Sequence, residues 1–111
     1  KRLAIASTKR GVGIKRATDH FGISSYFVQL QGSDGIPHKP DPSIINKILA
    51  EQQWQREETL MVGDTDKDIF AGKNAGVTTC GVTYGSLSEK EIECCMPDFI
   101  ISSLPELLSI V

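Results

Sequence analysis

The stretch Leu60-Met61-Val62-Gly63-Asp64-Thr65-Asp66-Lys67-Asp68 constrains the fold more than any other part of the chain. A short apolar run ends in a glycine, an aspartate follows at once, and a further aspartate stands four positions on. A run this short and continuous reads as a strand buried on both faces, the kind found in parallel sheets. Residues 66–74 read as the helix that follows it. Asp64 then falls at the carboxyl end of a strand, where open α/β sheets place their ligands. Asp68 falls in the first turn of the next helix and can reach back to the same mouth. Carboxylates converging there are hard oxygen donors suited to Mg²⁺, which is usually held by one or two protein carboxylates together with substrate phosphate. A plainer reading exists, in which Asp64 and Asp66 cap the helix and Asp68 suits its dipole. The other stretches have to decide between the two.

Further strand-like runs occur at Leu3-Ala4-Ile5-Ala6, at Phe27-Val28-Gln29-Leu30, over residues 77–82 and at Asp98-Phe99-Ile100-Ile101. Helix-like segments alternate with them. The first is predicted over about 12–21, with Gly22 as its cap. The next starts at Asp41-Pro42, with Asp41 as N-cap, Pro42 in the first helical position, and an apolar stripe of Ile44, Ile45, Ile48 and Leu49. Residues 31–39 carry Gly32, Gly35 and Pro37 and read as a loop. Gly76 is placed to end the helix over 66–74, and Gly72 would let that helix pack closely on the sheet. A short polar helix over 88–93 and a terminal helix carrying Leu107, Leu108 and Val111 complete the pattern, with Trp54 read as packing. Strands alternating with helices call for a parallel α/β sheet with right-handed crossovers and helical layers around it.

The totals narrow the function classes. At 111 residues the chain supports one small domain, residues 1–111. A formal charge of -2 gives no electrostatic case for nucleic acid or an anionic membrane surface. No apolar run approaches the roughly 18 residues of a membrane span, so neither partner is expected. Cys80, Cys94 and Cys95 form no disulfide framework and lack zinc-ligand spacing, which suggests a reduced, cytoplasmic setting. Lys1-Arg2 leads straight into a strand, so the chain is expected to be the carboxyl-terminal part of something longer, or a trimmed piece.

Three sites recur at one structural place, the loop after a strand or before a helix: Ser7 with Thr8, Lys39, and Asp64 with Asp68. Separately, Ser7 could be a helix cap and Lys39 a solvated lysine. Jointly they make a phosphate site. A hydroxyl and backbone N–H groups bind phosphate oxygens, a lysine neutralises charge, and carboxylates hold the Mg²⁺ that bridges to phosphate.

On these residues the chain resembles a known family. Leu3-Ala4-Ile5-Ala6-Ser7-Thr8-Lys9, His38-Lys39-Pro40-Asp41-Pro42 and Val62-Gly63-Asp64-Thr65-Asp66-Lys67-Asp68 are similar to motifs II, III and IV of the haloacid dehalogenase-like hydrolases, nearest to the phosphoglycolate phosphatase-like branch. The resemblance continues through Asp68-Ile69-Phe70-Ala71-Gly72-Lys73-Asn74-Ala75-Gly76-Val77. It implies a Rossmann-like, three-layer fold and a Mg²⁺-dependent phosphatase acting on a small phosphorylated metabolite through an aspartyl-phosphate. By position, Ser7 and the backbone N–H of Thr8 would bind the phosphoryl group. Lys39 would stabilise charge on the nucleophile and on the phosphoryl oxygens. Asp64 would coordinate Mg²⁺, and Asp68 would support that shell.

The chain departs from the family's pattern at its start. The first motif is an Asp-x-Asp whose first aspartate is the nucleophile, and only six residues precede Ser7. The cap that selects substrate would be absent with it. The resemblance places the first-motif strand centrally, between the strands ending at Ser7 and Asp64, so a slot with unpaired backbone groups is expected there. A chain with such a slot is expected to be inactive alone, and weakly stable or self-associating through it. Two other readings stay open: a phosphoglucomutase-type member of the same superfamily, and a non-catalytic α/β phosphate- or metal-binding module.

Overall fold

In the computed structural model, which describes residues 1–111, the apolar runs become five strands. In chain order the elements are β1 (Leu3–Ala6), α1 (Gly11–His20), β2 (Phe27–Gln31), α2 (Ser43–Gln52), β3 (Leu60–Gly63), α3 (Asp66–Ala75), β4 (Thr78–Val82), α4 (Glu89–Cys94) and β5 (Phe99–Ile101). Every strand pairing is parallel, as buried strands joined by helical crossovers require. The α/β architecture expected from the alternation therefore forms.

The strands make two sheets rather than one: β1-β2, and β3-β4-β5. No ladder joins β1 to β3, and a groove of about 490 Å³ lies between them, lined by residues 5–8 of one and 61–65 of the other. This is where the family resemblance implies a slot. β4, paired on both sides, is buried over residues 79–82, whereas β1 and β3, each with a free edge on the groove, reach only intermediate burial.

One helical pair holds the two sheets in register. Ile44, Ile45 and Leu49 of α2 pack against Ala71 and Ala75 of α3 and Val77 beyond it, with Ala6 of β1 and Met61 of β3 at the margins. Trp54 packs at the edge of this cluster, as expected. On the other face of β3-β4-β5, Cys80, Val82 and Ile101 are covered by Leu107 and Ile110 of the terminal segment. Three layers result. Gly72 has the close approach anticipated for it: a Cβ there would stand 2.7 Å from Thr79 Cγ2 and 3.0 Å from Met61 Cβ. Gly76 ends α3 in the left-handed conformation, at φ 77°.

Several boundaries differ from the sequence reading. Gln31 is strand rather than loop, because its carbonyl accepts the Ser7 N–H at 3.0 Å and extends the β1-β2 ladder. Val77 stays outside β4, since its N–H is spent on Gly72 O at the end of α3. Asp98 stands before β5, where its carboxylate accepts the N–H and hydroxyl of Thr79 at 2.8 and 3.1 Å. Those bonds hold the Asp98 carboxyl below the usual carboxylate range. The first residue of α2 is Ser43, so Pro42 stands at the N-cap rather than in the first helical position; Asp41, expected as the N-cap, lies one residue earlier and accepts the Ser43 N–H at 2.8 Å. The terminal helix is a 3-10 helix, Leu104–Ser109, whose start is fixed by the Glu106 carboxylate on the N–H groups of Ser102 and Ser103.

The cysteines are unpaired, and their environments differ. Burial pushes the Cys80 thiol up, with a smaller push from the Glu106 charge, and burial does the same to Cys95. Cys94 is exposed. Because the thiolate is the reactive form, a brief exposure of the native chain to a thiol reagent should give one adduct, at Cys94. All three should react only after denaturation. Rapid labelling of Cys80, read by mass spectrometry, would contradict this packing.

Candidate active site

Backbone geometry brings the candidate residues together. The ends of β1 and β3 line the same groove, and Ser7 and Asp64, one residue past each strand, both border it. Lys39 arrives from the loop before α2, and Asp68 from the first turn of α3. All of these residues, with Thr8 and Lys67, line the groove.

Lys39 is the tie across the mouth. Its Nζ donates to the carbonyl oxygen of Ala6, at the end of β1, at 3.1 Å. It also forms a close ion pair with Asp68 Oδ1. The two side chains are only 9% and 11% exposed, so this pair is little screened by water. The loop carrying Lys39 is fixed in turn by Asn74 of α3, whose amide donates to Pro40 O at 3.0 Å.

Asp68 is fully engaged. Its Oδ2 accepts from Thr65 Oγ1 at 2.8 Å and Thr65 N at 3.3 Å, and Thr65 Oγ1 accepts the Asp68 N–H, which completes a capping box. The helix-cap reading of this stretch is therefore realised, by Thr65 and Asp68 rather than by Asp64 or Asp66. Asp64 stands apart from the cap. Its Oδ2 accepts the N–H and hydroxyl of Ser86 at 3.2 and 3.1 Å, while Oδ1 accepts no hydrogen bond. Thr65 and Ser86 escaped the sequence reading; the Thr-x-x-Asp spacing signals the first, but nothing local signals Ser86.

Ser7 uses its N–H in the ladder, and its Oγ accepts the Lys9 N–H at 3.1 Å, which turns the chain sharply after β1. The Thr8 carbonyl is anchored by the Ser33 hydroxyl at 2.5 Å. The Thr8 N–H takes part in no hydrogen bond within the chain, so it is free to donate at the mouth.

The family model for haloacid dehalogenase-like hydrolases matches residues 1–82, which span β1 to β4 and every candidate site residue. The chain belongs to that family. Among haloacid dehalogenase-like relatives, the chain is 38% identical over 110 residues to a phosphoglycolate phosphatase of Vibrio parahaemolyticus, covering 98% of this chain and 48% of that protein. It is 36% identical to the pyrophosphatase PpaX of Halalkalibacterium halodurans, covering 99% of this chain and 52% of that one. The chain thus spans about half the length of the curated relatives it matches. A haloacid dehalogenase-like hydrolase structure from Streptococcus pneumoniae superposes with a TM-score of 0.90 at 24% identity, over 98% of this chain and 51% of that one, which fixes the fold.

Proposed function

We propose that this chain supplies half of a Mg²⁺-dependent phosphatase active site that acts on a small phosphorylated metabolite. The observation that carries the reading is the mouth of the groove, where Ser7, Thr8, Lys39 and Asp64 converge between two facing strand edges. The donor set suits the metal: Asp64 keeps one carboxylate oxygen free, and Mg²⁺ typically needs only one or two protein carboxylates besides water and phosphate. When bound, the ion would neutralise phosphoryl charge. Ser7 Oγ and the Thr8 N–H donate to phosphoryl oxygens. Lys39, locked by Asp68, contributes fixed positive charge with no reorganisation. Asp68 supports the metal shell through Lys39 and the Thr65 cap rather than through a free oxygen. The names of the two relatives, a phosphoglycolate phosphatase and a pyrophosphatase, support a phosphoric ester or anhydride substrate.

The groove also supports a division of labour. The unpaired edges of β1 and β3 receive one further parallel strand carrying the nucleophilic Asp-x-Asp, and without it these residues bind phosphate but do not turn it over. The same edges support self-association, which would appear as concentration-dependent sedimentation. The decisive experiment joins the preceding half of the Vibrio phosphatase to Lys1 and assays Mg²⁺-dependent phosphate release from phosphoglycolate. The fusion should turn over and the 111-residue chain should not. Asp64→Asn should abolish the activity, and Ser7→Ala should lower it about 10²-fold, as loss of one oxyanion donor does. A folded fusion that binds phosphate without hydrolysing it would favour a non-catalytic module.

A further inference from the structure

Asp64 is held from one side only. Ser86, in the loop after β4, places its N–H 3.2 Å and its hydroxyl 3.1 Å from the same carboxylate oxygen, Oδ2. Gly85 is pressed against the same side chain: a Cβ there would come within 2.4 Å of Asp64 Cβ and 2.5 Å of Oδ2. The φ of Gly85 is not positive, so it is space, not backbone freedom, that excludes a side chain here. The loop thus closes over one oxygen and leaves the other, Oδ1, without a hydrogen-bond partner, on a residue that lines the groove.

We propose that Ser86 is a positioning residue for the metal carboxylate, fixing Asp64 in one rotamer so that Oδ1 alone is presented to a hard divalent cation. The proposal rests on the reading of Asp64 as a Mg²⁺ ligand. Its physical basis is preorganisation. A free aspartate must give up rotamer freedom when it binds a cation, whereas an aspartate already held by two donors has given it up on folding. Two donors on one oxygen also disfavour bidentate coordination, which suits the compact octahedral preference of Mg²⁺ over the larger, more permissive Ca²⁺.

A purely structural role, in which the bonds only anchor the loop, gives different measurements. In the fusion that completes the site, Mg²⁺ is titrated while the amide resonances of Asp64 and Ser86 are followed by NMR. The Hα–Hβ couplings of Asp64 report its rotamer without metal, and thermal unfolding without metal reports stability. Ser86→Ala should weaken Mg²⁺ binding about tenfold, the lower end for loss of an outer-shell partner, and average the Asp64 couplings. Ser86→Thr, which keeps the hydroxyl and the N–H, should restore both. If Ser86→Ala lowers the melting temperature but leaves the Mg²⁺ dissociation constant and the couplings as in the wild type, Ser86 is only an anchor and the proposal is overturned. A fusion without the substitution that shows no Mg²⁺ response at Asp64 overturns the metal reading, and the proposal with it.

Discussion

Lys39→Met should lower the free energy of unfolding by about 3–5 kcal/mol, the usual cost of removing one partner from a buried ion pair. Methionine fills most of the space of the lysine stem, so little of this loss comes from a cavity. The loss comes from Asp68, whose Oδ1 is left in a site only 11% exposed with nothing facing it. Ala6 O loses its donor in the same step, and with it the polar tie between β1 and the start of α3. For a domain whose total stability is about 5–15 kcal/mol, that is a large fraction. Urea denaturation followed by circular dichroism measures it. Adding Asp68→Asn should recover part of the loss, since the stranded charge disappears while Thr65 keeps a side-chain acceptor. A loss under about 1 kcal/mol for Lys39→Met would place the pair among solvent-screened surface bridges and sink this account.

The same pair shows how far the sequence could be read. That Lys39, Asp64 and Asp68 share one mouth was legible, because each sits next to a strand or helix end and parallel topology gathers such ends on one side. Which carboxylate oxygen stays free was not legible. Asp64 and Asp68 look equivalent in sequence, yet both oxygens of Asp68 are consumed by Thr65 and Lys39, whereas Asp64 is held through one oxygen only, by a loop 22 residues downstream. Such partners come from tertiary placement, which local spacing does not encode. The strands were legible from their apolar runs because parallel strands are buried on both faces. Their ends were less so. Gln31 joins its strand and Val77 stays outside its own because single backbone hydrogen bonds, to Ser7 and Gly72, decide where each ladder stops. The gap between β1 and β3 was expected only through the family resemblance. Nothing in the periodicity of either strand marks an unpaired edge.

Gly63→Ala should be more damaging than its one added carbon suggests. A Cβ at Gly63 would lie 2.1 Å from Asp68 Cβ and 2.7 Å from both Cγ and Oδ2. The atom it meets first is close to the backbone of α3, not the far end of a flexible chain, so no rotamer change relieves the overlap. The first turn of α3 must move off β3. That movement breaks the Thr65–Asp68 capping box and pulls Asp68 from Lys39. Overpacking alone costs about 1–3 kcal/mol, and the ion pair adds to it, so a fall in melting temperature of roughly 10 °C or more is expected. Gly13 provides the contrast. It lies within α1, and a Cβ there would meet nothing within 4 Å. Gly13→Ala should therefore raise stability by up to about 1 kcal/mol, the helix-propensity difference between the two residues. Thermal melts of both variants test the pair together. If Gly63→Ala melts within a degree or two of wild type, then the glycine at the end of β3 only marks the end of a strand. If it melts far lower, the close approach of β3 and α3 at Gly63 is what sets Asp68 against Lys39 at the mouth of the groove.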